Sequence, residues 1–122
     1  MRAIGYGALN AREYVTEKSF EMCRFVQIEH IDAIDSLEEI VKIPYIDGFI
    51  FGPNDLSGSI NDFLNVYDEK TTKLMEYAIK KLKENNKYIG IATGSSDKEV
   101  VEHWSKMGAD MICAGDAAGY LT

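Results

Sequence analysis

An α/β fold built on a parallel sheet is what this chain predicts, and three observations carry that expectation. Four short apolar runs occur, at Phe25–Glu29, Gly48–Gly52, Tyr88–Ala92 and Asp110–Ala114, each of strand length. Their apolarity is continuous rather than alternating, as suits strands covered on both faces. Segments of helical period lie between them, so strand and helix alternate, the order that right-handed crossovers turn into a parallel sheet.

The elements follow in order. Residues 1–24 are less regular, and the stretch from Arg12 to Phe20 reads equally as a helix or a polar loop. After the first strand, Ala33, Ile34, Leu37, Ile40 and Val41 share one helical face, with Asp32 as the expected N-cap and Pro44 beyond the end. The second strand runs into Gly52-Pro53-Asn54-Asp55-Leu56-Ser57, where glycine and proline predict a turn, and Gly58–Tyr67 reads as a loop. A helix then starts near Asp68. Leu74, Met75, Ala78, Ile79 and Leu82 form its apolar stripe, and Lys70, Lys73, Glu76, Lys80 and Lys83 its solvated face. Past the third strand, Gly94-Ser95-Ser96 reads as a helix-entry loop or as an anion cradle. The third helix carries Val100, Val101, Trp104 and Met107 inward, with Asp97 as N-cap and Gly108 as the residue that ends it. Trp104 is expected in the core and His103 beside it at the surface or in packing. Asp116, past the fourth strand, reads as a polar cap on a turn, with substrate contact as the alternative.

Composition narrows the function. The chain has 122 residues, 46% hydrophobic and 27% charged, which predicts one domain over residues 1–122. Thirteen Lys and Arg stand against 20 Asp and Glu, a net charge of −7, and this argues against a nucleic-acid partner, which needs clustered cations. No apolar run approaches the roughly 20 residues of a membrane span, and Met1 opens no signal-peptide pattern, so a cytoplasmic protein without a membrane partner is expected. Cys23 and Cys113 lie far apart near or within apolar runs, and two buried free thiols are the expectation.

Two carboxylates stand out. Glu29 closes the first strand and Asp55 lies just past the second, both at the strand end where parallel α/β folds bind ligands. Adjacent strands are about 4.8 Å apart, so side chains ending neighbouring strands can meet at one cation. Two acids with no His or Cys pair nearby favour Mg²⁺ or Mn²⁺ over zinc. The plain alternative is that Pro53-Asn54-Asp55 is only a turn. His30 follows Glu29 directly; it reads first as a loop residue, and second as a third ligand or a base.

The segments VQIE, IDGFIFGPNDLS and ICAGDAAGYL resemble the last four strands of the HpcH/HpaI aldolase/citrate lyase family, over about Arg2 to Leu121. The resemblance implies the C-terminal half of a (β/α)₈ barrel, a fold of about 250 residues when complete. It implies a metal-dependent class II aldolase, a carbon–carbon lyase acting on 2-oxo acids through the pyruvate enolate. Glu29 and Asp55 would be the ligands of the divalent ion. The backbone of Gly52, Asn54 and Asp55 would hold the pyruvate carboxylate, and Gln27 would face the same site. The family's essential arginine and its histidine base come from the barrel half to which this chain shows no resemblance. Arg2, Arg12 and Arg24 precede or begin the first strand and offer no replacement, so the catalytic residues are unassigned. The alternative is a non-catalytic truncated paralogue or subunit that at most binds a metal–oxoacid complex. Either way four strands leave open edges and a bare apolar face, which predicts a homo-oligomer or a complement with a separate N-terminal half.

Overall fold

The computed structural model describes residues 12, 22–63, 65–115, 118 and 121. Four strands, β1 (Phe25–Ile28), β2 (Gly48–Phe51), β3 (Tyr88–Ala92) and β4 (Met111–Cys113), form one sheet in the order β1-β2-β3-β4. Every pairing is parallel. Between them run α1 (Ile31–Asp35), α2 (Leu37–Ile40), α3 (Pro53–Ser59), α4 (Glu69–Glu84) and α5 (Lys98–Met107). The alternation read from the sequence is therefore the fold.

The same backbone clasp is used twice at the N-terminal end of the sheet. The Asp47 carboxylate accepts from the Arg24 amide at 2.7 Å, while the Asp47 amide donates to the Arg24 carbonyl at 2.9 Å. Asp110 repeats this with Ile89, at 2.9 and 2.8 Å. Each aspartate precedes a strand and binds the start of its neighbour, which pins the register. The Lys87 ammonium closes the same end by donating to the carbonyls of Ile43 and Ile46.

Register divides the sheet into two faces. Ile28, Phe51, Ile91 and Ile112 lie in one row. With Phe49 and Ile89 they face the helices, meeting Ile34 and Leu37 from α1 and α2, Leu56 from α3, Met75, Ala78, Ile79 and Leu82 from α4, and Trp104 from α5. Gln27, Ile50, Gly90 and Met111 form a row on the opposite face, where Gln27 and Met111 are exposed. Near-continuous apolarity in the strands thus marks two apolar faces, of which the described helices cover one.

Several expectations need correction. The first helical stripe is two short helices divided at Ser36, not one: Asp35 and Ser36 are weak helix formers whose side chains compete for backbone bonds. His30, not Asp32, caps α1, its Nδ1 accepting from the Asp32 amide at 3.2 Å. After Gly52, which stays extended as the N-cap, the expected turn is a helix, because Pro53 at its first position is pre-set for helical φ; Gly58 and Ser59 belong to it too. The strands also end earlier than expected, leaving Glu29 and Gly52 just outside β1 and β2. Both cysteines are free but exposed, Cys113 because it pairs with Ala92 on the uncovered face of the sheet's last strand.

The later elements match. Asp68 caps α4 by accepting from the Glu69 amide, and Asp97 takes the N-cap position of α5 without a side-chain capping bond. Gly108 ends α5 with φ at +117°, a conformation that a side chain would strain. Trp104 is buried, and His103 packs edge-on against it and against Tyr67, with ring centres 4.7 and 4.8 Å away. Arg2 and Asp116 lie outside the described residues.

Candidate active site

β1 and β2 end side by side, and their continuations build the site. The Gly52 amide donates to the Ile28 carbonyl at 3.1 Å, extending the ladder one step beyond the strands. Glu29 lies over Gly52: a Cβ on that glycine would come within 3.1 Å of the Glu29 Cγ and Oε1. A side chain there would press on the carboxylate, so glycine leaves Glu29 its place over the backbone. Gln27, on the same face of β1, donates its amide Nε2 to Glu29 Oε1. Gln27, Glu29 and Gly52 are thereby brought into contact, and both polar side chains remain exposed.

Asn54 and Asp55 follow in the first turn of α3, both exposed. The first amides of a helix have no partner inside it. Here Pro53 has no N–H, Gly52 has no side chain to cap with, and the Leu56 amide bonds the Gly52 carbonyl at 2.9 Å. The amides of Asn54 and Asp55 are left as donors. An acid in this turn also suits the positive end of the helix.

Two serines that the sequence reading passed over hold this helix. Ser57 is fully buried and donates to the Asn54 carbonyl at 2.7 Å. Ser59 donates to the Leu56 carbonyl at 2.7 Å and accepts from the Ile31 amide at 3.0 Å. Clustered serines near a helix end signal hydroxyl-to-carbonyl bonds, but nothing local signals the partner at Ile31.

The other candidates sit elsewhere. His30 is committed to the α1 cap. Arg24 precedes β1, at the opposite end of the sheet. Thr93 orders the Gly94-Ser95-Ser96 loop, donating to the Ser95 carbonyl at 2.7 Å and accepting from the Ser95 amide at 3.2 Å. In the loop after α3, the Asn65 amide bonded to Asp62 holds that carboxyl below its ordinary range. Among the described residues no three His, Cys, Asp or Glu side chains gather as a metal cluster.

Glu29 over Gly52, with Asp55 in the neighbouring first turn of α3, marks the C-terminal edge of the parallel sheet as the candidate site, and comparison with known proteins gives the family. Residues 6–119 match the family model of the HpcH/HpaI aldolase/citrate lyases, and the chain belongs to that family. It is 28% identical over 103 residues to the hydroxypyruvate/pyruvate aldolase of Deinococcus radiodurans, covering 84% of this chain and 36% of that protein. It is 27% identical over 114 residues to the 2-keto-3-deoxy-L-rhamnonate aldolase of Escherichia coli, covering 93% of this chain and 41% of that protein. Among solved structures, an HpcH/HpaI aldolase/citrate lyase family protein from Burkholderia cenocepacia superposes with a TM-score of 0.83 at 21% identity, over 99% of this chain and 46% of that one. The chain spans less than half the length of each, and the shared fold is four parallel strands alternating with helices, part of a TIM-type barrel. Among the described residues no helix is long and apolar enough to cross a membrane.

Proposed function

We propose that this chain carries the metal- and pyruvate-binding part of a class II aldolase acting on small 2-oxo acids. The observation that carries the reading is the Glu29 carboxylate, oriented by Gln27 and lying over Gly52 next to the first turn of α3.

The residues fit a hard divalent ion. Glu29 and Asp55 offer carboxylate oxygens at the open end of the sheet, and a two-acid set leaves coordination positions for water and substrate oxygens, as Mg²⁺ or Mn²⁺ prefers. Bound there, such an ion supplies Lewis-acid polarisation of a keto oxygen. The chain's own groups do the rest. The Asn54 and Asp55 amides receive the carboxylate of the oxo acid, and Gly52 leaves room for it. Gln27 keeps Glu29 aimed and borders the space the oxo acid would fill.

Among the described residues, the arginine and histidine that the family resemblance calls for have no counterpart at this site. Loss of one preorganised charge stabiliser commonly costs about 10²–10³ in rate. The expected result is therefore ion-dependent binding with slow or absent turnover. Calorimetric titration with oxalate, a mimic of the pyruvate enolate, should give binding with Mn²⁺ present and none without it. Oxalate binding that ignores Mn²⁺ would sink the reading. Retro-aldol turnover of 4-hydroxy-2-oxo acids near the ordinary enzyme value of about 10 s⁻¹ would place the catalytic groups within this chain and end the non-catalytic alternative.

Assembly belongs to the same proposal. The sheet face carrying Ile50, Met111 and Tyr88 is uncovered by the described helices, and Tyr88 is 56% exposed. A second copy, or the complementary barrel half, would cover it. Light scattering of the chain at micromolar concentration should give a dimer or larger; a stable monodisperse monomer would refute self-association.

A further inference from the structure

The two proposed ligands come from different elements, and something other than the sheet must set their separation. Glu29 sits on the segment joining β1 to α1, and Asp55 in the first turn of α3. The strand ladder aligns these segments only as far as the Ile28 carbonyl and the Gly52 amide. Beyond that point both chains leave the sheet.

Ser59 joins them again. Its hydroxyl donates along α3 to the Leu56 carbonyl at 2.7 Å and accepts across to the Ile31 amide at 3.0 Å. Ile31 is the first residue of α1, two past Glu29, and its amide has no acceptor within its own helix. The local cap does not serve it either, because His30 spends its Nδ1 on the Asp32 amide. A hydroxyl is suited to this place because it donates and accepts at once. Among the described residues, this is the side-chain hydrogen bond that ties the Glu29 segment to the Asp55 helix, and Ser59 is half-buried where solvent competes weakly.

We propose that Ser59 is a positioning residue that fixes the Glu29 segment against α3 and so presets the spacing of Glu29 and Asp55. The inference rests on the metal-site reading above and adds to it the residue that preorganises the site. Residues supporting a metal ligand typically change affinity by about 10–100-fold when removed. Ser59→Ala should lower Mn²⁺ affinity by about tenfold in that range, broaden the electron paramagnetic resonance signal of the bound ion, and speed exchange of the Ile31 amide. Ser59→Thr keeps the hydroxyl and should restore all three.

General destabilisation is separated by Asp110→Ala, which breaks the clasp at the far end of the sheet. It should lower the thermal midpoint and leave Mn²⁺ affinity unchanged. The full chain is titrated with Mn²⁺ alone, beside Glu29→Gln. Wild-type affinity in Ser59→Ala, with Glu29→Gln impaired, overturns the positioning role and leaves the metal site standing. Equal losses in Ser59→Ala and Asp110→Ala overturn it as well, since the effect would then be stability. Equally weak binding by wild type and Glu29→Gln overturns the metal site and the role of Ser59 with it.

Discussion

Glu29→Gln and Asp55→Asn should each weaken Mn²⁺ binding by about 100-fold or more. Groups that merely support a ligand are worth about 10–100-fold, and a carboxylate that contributes a donor oxygen should cost at least the upper end. Both substitutions keep size and shape and remove one charge. Neither side chain is buried, so the fold loses little. Glu29→Gln also keeps an oxygen to which the Gln27 amide can donate. Asp62→Asn is the control, because that acid lies in the loop after α3 and bonds Asn65 there. It should bind Mn²⁺ as the wild type does. The measurement is Mn²⁺ titration followed by electron paramagnetic resonance, with and without oxalate, on variants shown to be folded by circular dichroism. Oxalate should tighten binding in the wild type, because a chelate adds two oxygens. Equal affinity in the wild type and both variants would mean that family membership describes descent and not the present chemistry of these acids.

Most of the fold was legible because its signals are local. Strand length, helical stripes, the helix start at Asp68 and the helix end at Gly108 each depend on a few neighbouring residues, and the structure uses them as expected. The misreadings were local choices decided by context. Pro53 reads as a turn in isolation, yet at the first position of a segment whose Leu56 is buried it starts a helix. Cys113 reads as buried in an apolar strand, and only the sheet order shows that it lies on the last strand, exposed.

The geometry of the candidate site was half legible for the same reason. Glu29 and Asp55 were visible as acids where apolar runs end. Contact between Glu29 and Gly52, and the bond from Ile31 to Ser59, join residues distant in sequence. No spacing rule reaches them, because they depend on which strands become neighbours. The clasps of Asp47 and Asp110 were hidden likewise: each looks like an acid bordering a strand until its partner strand is known.

Phe51→Ala should be the most damaging core substitution, costing about 3–5 kcal/mol. Phe51 is fully buried in β2, between β1 and β3, and lies in the row of Ile28, Ile91 and Ile112 beneath the helices. Truncating it leaves a cavity that flanking strands cannot close without breaking their ladders. A domain's whole stability is about 5–15 kcal/mol, so this loss takes much of it. Urea unfolding is the measurement: with a slope of about 1–3 kcal/mol per molar, the midpoint should fall by more than about 1 M. The adjacent residue supplies the contrast. Ile50 points to the opposite face, in the row of Gln27, Gly90 and Met111, and is only half-buried. Ile50→Ala should cost well under half as much if that face is open to water. A midpoint unchanged by Phe51→Ala would show that the helix-covered face is not the core. Equal losses at both positions, falling with dilution for Ile50→Ala alone, would show that the second face is buried in solution by another copy of the chain.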